Sequence, residues 1–296
     1  MILIEEVLRP DLYTDVDKGI DFCRSIPDAK LNRNIEFHAF WIGDFGRKQS
    51  LPIKSFFATQ TDNFAKLNLW STQDLSKNEF LKPFKDKIKF RHWNPIEEAK
   101  GTLIENLSDL KASDSRRWVD GDLFRLLVLH KYGGVYFDMD VVFLRDFTPL
   151  LDQEFMYKWG PENMINGAIM HLKKESKLTF DLLNELSKRR AIPNSTCWGN
   201  DTYMSVRSFN KNWTIFPAAF FNSEWVITPD FYKKYPGMAV GRLEPFKKCE
   251  QSFYLFEGAF SWHWHGRWDE SIEDGSKWQI LELKTNKLLL DKGFLQ

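Results

Sequence analysis

Apolar and polar positions in the first half of the chain switch between a strand-like and a helix-like rhythm. IEFHAFWIG (35–43) is a nearly continuous apolar run that stops at a glycine, which predicts a buried strand. LPIKSFFATQ (51–60) predicts a short helix. FAKLNLWST (64–72) alternates as a second strand, and DKIKFRHWN (86–94) as a third, closed by Pro95. The clearest helix is RWVDGDLFRLLVLHKYGG (117–134). There Phe124, Leu127 and Val128 fall on one stripe, Leu123 and Leu126 flank it, and Gly133 and Gly134 supply the stop. VYFDMDVVFL follows directly as a strand. Beyond it, MINGAIMHL reads as an apolar segment and SKLTFDLLNELSKRR as a helix. Aromatic strands and loops run on to SFYLFEGAFSWHWHGRW. The tail, KWQILELKTNKLLL, is mixed, and residues 1–34 read as a polar, helical lead-in. Strands alternating with helices predict an α/β sheet. With no internal repeat and no Gly/Ser or Pro linker, the expectation is one domain over 1–296, with halves 35–150 and 151–296.

Composition narrows the function. Lys+Arg and Asp+Glu both number 41, so the formal net charge is zero and no basic surplus exists to displace counterions from nucleic acid. The three cysteines, Cys23, Cys197 and Cys249, are far apart and form neither a zinc spacing nor a disulfide ladder, which suits a reducing compartment. The first residues lack the form of a signal peptide, and no apolar run approaches the roughly 18 residues that span a bilayer. The expectation is a soluble cytoplasmic protein with no transmembrane segment.

The chemistry begins at GGVYFDMDVVFL (133–144). A bare buried carboxylate costs several kcal/mol, so Asp138 and Asp140 inside an apolar run need water, a strand end or a cation. In a continuous strand, Tyr136, Asp138, Asp140 and Val142 share one side, opposite Phe137, Met139 and Val141. The two carboxylates would then stand roughly 6–7 Å apart, too far to grip one small ion together unless a bulge or strand end shortens the gap. Hard oxygen donors select Mn²⁺ or Mg²⁺, the ions that bridge substrate diphosphates. One helix earlier, Asp122 and Arg125 are i,i+3 neighbours.

Taken together, Asp122, Arg125, Leu129, Gly133, Gly134, Tyr136, Asp138 and Asp140 spell D-x-x-R-x-x-x-L-x-x-x-G-G-x-Y-x-D-x-D. This pattern resembles the glycosyltransferases with a DXD sugar-binding region, among them yeast-type mannosyltransferases, α-1,4-galactosyltransferases and the glucosylating domains of large clostridial toxins. FWIG (Phe40, Trp41, Ile42 and Gly43) is similar to their first strand, and the likeness extends from about residue 35 to 270. The resemblance implies a GT-A fold, a nucleotide-sugar donor linked to UDP or GDP, a glycan or other sugar-bearing acceptor, and Mn²⁺ or Mg²⁺ as cofactor. By the same likeness Trp41 would stack on the base, and Asp122 and Arg125 would hold ribose or sugar hydroxyls, with Tyr136 beside them. Asp138 would contact the donor, partly through the metal's water, and Asp140 would be the direct ligand. The family commonly has Ser before the helix Asp, whereas Gly121 stands here, which loosens any inference about the base.

In SWHWHGRW (261–268), His263 and His265 alternate with Trp262 and Trp264, so a local strand would put both imidazoles on one side. Relatives carry a His-rich segment here. His265 is the preferred third ligand or phosphate contact and His263 the alternative, with Arg267 and Trp268 closing over the donor. NMINGAIM and CWGNDTYM resemble the acceptor side of the family's cleft. Asn166 would bind donor sugar hydroxyls, Asp201 would face the reacting centre, and Trp198 would be a sugar platform. The related enzymes mostly retain anomeric configuration; an inverting route would need a base, for which Asp201, Glu224 and Asp269 are candidates. YFDMDVV also fits the first motif of haloacid-dehalogenase-type phosphatases, with Asp138 as nucleophile. That motif usually opens its domain, and the chain has no Asp-Asp doublet for the expected downstream pair. A catalytically inactive nucleotide-sugar-binding protein is the other alternative.

Overall fold

The computed structural model describes residues 16–29, 32–61, 63–111, 118–159, 164–222, 244–249 and 258–295. The strands are β1 (Ile35–Phe40), β2 (Ala65–Ser71), β3 (Ile88–His92), β4 (Gly134–Phe137), β5 (Val141–Phe143), β6 (Phe155–Lys158), β7 (Ile165–Leu172), β8 (Thr214–Phe216) and β9 (Ser261–His263). The helices are α1 (Val16–Ser25), α2 (Arg47–Thr59), α3 (Pro95–Ala99), α4 (Trp118–Tyr132), α5 (Lys177–Ser187), α6 (Asn200–Phe209) and α7 (Lys277–Asp291).

Seven strands form one mixed sheet in the order β3-β2-β1-β4-β7-β6-β8, and β5 pairs with β9 in a small second sheet. β1, β2, β3 and β4 are mutually parallel, whereas β7 is antiparallel to β4. Strands from both sequence halves therefore share one sheet. Period-two alternation divides the sheet's side chains between two cores. Phe37, Leu67, Val135 and Phe137 join Ile53 and Phe56 of α2 on one face. Trp70, Tyr136 and Met170 join Phe124 and Leu127 of α4 and Leu182 of α5 on the other. This is the flanked α/β sheet that the alternating rhythm predicts.

Two elements differ from the sequence reading. The tail read as mixed is the helix α7, capped by Ser276, whose Oγ accepts from Gln279 N. Leu281 and Leu289 are buried, but Leu283, Leu288 and Leu290 are exposed, and these outward leucines blur the helical stripe. The strand read through 135–144 breaks in two at the acidic pair, because β4 ends at Phe137 and β5 begins at Val141.

Candidate active site

Gly133 and Gly134 set the geometry of the edge where the site lies. Both have positive φ, 68° and 97°, where a side chain is disfavoured. A Cβ on Gly134 would stand 2.0 Å from the Glu36 carbonyl oxygen, so only glycine lets β4 leave the helix and pair with β1 at once. The chain reverses here, so the first turn of α4 returns to the carboxyl end of β4. The antiparallel β7 starts at that same edge. Open sheets hold ligands beyond the carboxyl ends of parallel strands, where the strand order reverses. In this sheet that place is the β1/β4 neighbourhood.

Asp138, Met139 and Asp140 form a turn there. Asp138 N donates to Ala168 O at 2.8 Å, and Val141 N donates back to Asp138 O at 3.1 Å. The turn shortens the gap expected of an extended strand, and ligand atoms of Asp138, Asp140 and His263 all lie within 4.8 Å of one another. The C-terminal segment completes the group through β5–β9 pairing, with Val141 opposite His263. Trp264 N donates to Asp140 O at 3.1 Å, and Gly266 N to Asp140 Oδ2 at 2.6 Å. Asp140 Oδ1 lies 3.1 Å from His263 Nε2 but off the direction of a hydrogen bond. It is thus a buried oxygen with no hydrogen-bond partner among the described residues. The other His263 nitrogen, Nδ1, is 3.2 Å from the Tyr157 hydroxyl, which fixes the ring.

The charges of this group are strongly mutual. Burial pushes the Asp138 carboxyl up, against the pull of Arg125 and with the help of neighbouring Asp140. Burial pushes Asp140 in the same direction, but His263 beside it and the Gly266 amide outweigh that and hold it below the usual carboxylate range. His263 is lowered by burial, yet the Asp140 carboxylate carries it above its ordinary value.

Behind the turn stands a second polar row. Arg125 donates through Nε to Gly121 O and through Nη2 to Asp138 Oδ1, both at 3.2 Å, and its Nη1 lies 3.4 Å from Asp122 Oδ1. Its guanidinium sits 4.9 Å from the Tyr136 ring centre, and the Tyr136 hydroxyl donates to Asp138 Oδ1. Tyr203 OH donates to Asp122 Oδ1 at 3.3 Å. Burial pushes the Asp122 carboxyl up to about 7 despite Arg125. Two glycines make room for this row. A Cβ on Gly199 would lie 2.6 Å from Asp122 Oδ2, and one on Gly167 would lie 2.6 Å from the Tyr203 hydroxyl.

The remaining sequence-predicted residues fall in several places. Phe40 stacks on Phe124 at 4.5 Å inside the second core rather than facing a ligand. Trp41, Ile42 and Gly43 are half-buried at the end of β1. The Trp41 indole donates to Asp44 O at 3.0 Å and meets Trp268 edge-on at 4.7 Å. The loop that carries Trp268 is pinned by Lys48, whose Nζ donates to the carbonyls of Arg267 (3.1 Å), Trp268 (2.8 Å) and Glu270. Arg267 is exposed and paired with Glu270 at 2.5 Å. His265 is not drawn into the acidic group. β9 ends at His263, and His265, Gly266 and Arg267 all have positive φ, which breaks the same-side alternation. The His265 ring stacks on His263 at 3.8 Å and its Nε2 lies 2.9 Å from Asn222 Oδ1.

On the other flank, Asn166 is buried, and its Oδ1 accepts from Ala168 N at 2.7 Å. Asp201 is exposed and accepts from Thr196 Oγ1 at 2.9 Å. Trp198 is fully buried with its indole N–H on Arg189 O, so it offers no open face as a sugar platform. Asp269 is exposed, and Glu224 lies outside the described residues. Sequence reasoning missed Tyr157, Tyr203, Gly167, Gly199 and Lys48. Tyr203 and Gly199 lie inside CWGNDTYM and were within reach of the pattern, whereas Tyr157 and Lys48 carry no local signal.

The donor set fits a hard divalent cation: two carboxylates and an imidazole gathered at a sheet edge, one buried carboxylate oxygen without a hydrogen bond, and a second partner fixing the imidazole. A family described as "glycosyltransferase sugar-binding region containing DXD motif" matches residues 59–157, which include α4, the Gly-Gly turn and the acidic turn. Over that third of its length the chain is similar to the DXD-motif glycosyltransferases. An uncharacterized protein of Arabidopsis thaliana is 39% identical over 64 residues, 22% of this chain and 10% of that protein. Two solved structures share the architecture at low identity. The apo structure of the bifunctional glycosyltransferase WbbM has a TM-score of 0.53 and 11% identity, covering 88% of this chain and 51% of that one. The glycosyltransferase GlyE of Streptococcus pneumoniae TIGR4 has a TM-score of 0.51 and 12% identity, covering 89% and 64%. The chain thus spans a tenth of the plant protein and between half and two thirds of the two enzymes. The shared architecture is the GT-A fold, a mixed sheet flanked by helices. Among the described residues no helix is long and apolar enough to cross a membrane.

Proposed function

We propose that this DXD-motif chain is a divalent-metal-dependent transferase that moves a sugar from a UDP- or GDP-linked donor to an acceptor hydroxyl on a glycan, with retention. The observation that carries the reading is the gathering of Asp138, Asp140 and His263 at the carboxyl edge of the sheet, with Asp140 Oδ1 buried and lacking a hydrogen bond. These three side chains would hold Mn²⁺ or Mg²⁺, which when bound supplies positive charge against the departing diphosphate. Arg125 and Tyr136 orient Asp138 by donating to its Oδ1, which leaves Oδ2 for the cation or a donor hydroxyl. Trp41, beside Trp268 at the end of β1, presents the aromatic surface for the base.

Retention is supported by the state of a nearby carboxylate. Asp122, the carboxylate nearest Asp138 on α4, is tied to Arg125 and Tyr203, so the leaving diphosphate is the better acceptor for the incoming hydroxyl's proton. The tie of Asp138 Oδ1 to two donors also argues against its service as a phosphatase nucleophile.

The test is release of nucleoside diphosphate from a panel of UDP- and GDP-sugars, with Mn²⁺, Mg²⁺ or EDTA. Metal-dependent release is expected. Asp140→Asn is expected to lower kcat/KM by about 10³-fold, or about 4 kcal/mol of transition-state stabilisation, with an unchanged circular dichroism spectrum. Full activity in EDTA, or in Asp140→Asn, refutes the metal site; turnover of p-nitrophenyl phosphate with none of any nucleotide sugar refutes the transferase.

A further inference from the structure

Trp198 is buried, so the acceptor flank needs another aromatic surface if it is to hold a sugar, and the structure contains one. Trp118 opens α4 and is 45% exposed. Its ring is not loose, because the indole N–H donates to Ser195 O at 2.7 Å. The next turn of the same helix carries Asp122, whose position at i+4 puts it on the same face, roughly 6 Å along the axis. Both residues abut one loop: Trp118 at Ser195, and Asp122 at Gly199. Trp118 is therefore the outermost member of a row that continues through Asp122 and Arg125 to Asp138.

The flank on which the row ends matters. β1 and β7 lie on opposite sides of β4. Trp41 and Trp268 meet at the β1 side. The Ser195–Gly199 loop is tied to the β7 side, where Asn200 Oδ1 accepts from Ile165 N at 2.8 Å. In the same loop, one residue after Ser195, Thr196 forms a hydroxyl–carboxylate pair with the exposed Asp201. A fixed, half-open indole next to polar groups suits a pyranose, whose apolar C–H face lies on the ring while its rim hydroxyls hydrogen-bond alongside.

We propose that Trp118 is the stacking surface for the acceptor sugar, with Thr196 and Asp201 taking its hydroxyls. This rests on the transferase reading given above but can fail separately from it. Two measurements test it, both with methyl and p-nitrophenyl glycosides of glucose, galactose, mannose and N-acetylglucosamine as probes. In saturation-transfer NMR without donor, the wild type is expected to transfer saturation to the C–H face of at least one glycoside. Trp118→Ala should lose the signal and Trp118→Phe keep it. In rate measurements with that glycoside, Trp118→Ala should raise the acceptor KM at least 10-fold. Its donor hydrolysis in the absence of acceptor should stay within twofold of wild type, and Trp118→Phe should recover most of the loss.

Phe keeps the flat face and lacks the N–H. Equal losses in Phe and Ala would show that the bond to Ser195 matters and not stacking, and would overturn the proposal. Saturation transfer that persists in Trp118→Ala, or is absent from the wild type across the panel, overturns it as well. A wild type that binds glycosides through Trp118 yet releases no nucleoside diphosphate from any donor supports this site and refutes the transferase reading instead.

Discussion

Two buried polar clusters lie either side of the Gly133–Gly134 turn, and they are built on opposite terms. Behind the turn, His38 is fully buried, yet both ring nitrogens are spoken for. The Trp70 indole N–H donates to Nδ1 at 3.2 Å, so Nε2 carries the proton and donates to Gly133 O at 3.0 Å. Burial lowers its pKa to about 3, so it stays neutral. In front of the turn, Asp138, Asp140 and His263 crowd two carboxylates and an imidazole together, and Asp140 Oδ1 is left without a hydrogen bond. A neutral, saturated cluster stabilises the fold as it stands. A charged, unsaturated one is costly as it stands and is relieved by a partner that brings positive charge. The first reads as scaffold, and the second as a place kept for a ligand.

The largest expected effect comes from breaking the scaffold side. Gly134→Ala sets a Cβ against the Glu36 carbonyl at 2.0 Å and a side chain at a φ of 97°. Relief requires β4 to move off β1, which drags the acidic turn with it. A loss on the order of 4 kcal/mol is expected in urea unfolding, among the larger values for one substitution. A loss below about 1 kcal/mol would show that the close approach of the two strands is not required.

The next effect is the pH response of His38. Its folded pKa, about 3, lies below the ordinary 6.5, so the unfolded chain binds more protons between those values. Stability is therefore complete above about pH 7 and is lost as pH falls through 6.5 toward 3. Over the window from pH 7 to pH 4 the loss is on the order of 3 kcal/mol. His171, lowered by burial to about 4, adds to the same slope, so the comparison is made with a variant. His38→Gln keeps one donor and one acceptor but does not titrate. Its unfolding free energy should fall less steeply between pH 7 and pH 4 than that of the wild type, and parallel curves would refute the assignment.

Much of the scaffold was legible because its causes are local. The Gly-Gly stop, the apolar run of β1 and the stripe of α4 each follow from neighbours in sequence, and the structure forms each of them. The site was legible as a set of residues but not as a geometry. Asp138 and Asp140 read as one side of a strand, yet Met139 sits in a turn, closed by the Val141 N bond to Asp138 O. His263 and His265 read as equivalents, because nothing in SWHWHGRW marks where β9 ends or that three residues in a row take positive φ. Trp198 and Trp118 could not be told apart by exposure, since both follow polar stretches and only tertiary packing buries one of them. Tyr157 and Lys48 act across the fold, far in sequence from what they hold, and leave no local pattern.

The smallest effect is the most discriminating, because its sign separates the clusters. Asp138→Asn keeps Oδ1 as acceptor for Arg125 and Tyr136, so the packing and both hydrogen bonds survive. What it removes is the half-buried one of two crowded charges, the one whose partial burial already pushes it toward protonation. Where the charge serves a ligand and not the fold, neutralising it raises apo stability by about 1 kcal/mol near pH 7, or leaves it level, as substitutions in functional sites often do. The Mn²⁺-induced rise in Tm expected of the wild type should disappear in the same variant. A scaffold carboxylate would respond in the opposite sense, since breaking a buried pair leaves Arg125 undercompensated and costs about 3 kcal/mol or more. Thermal unfolding of Asp138→Asn with and without Mn²⁺ therefore decides the matter: a large loss in the apo protein places Asp138 with His38 as scaffold, while an unchanged or raised apo Tm with no metal response places it in the site.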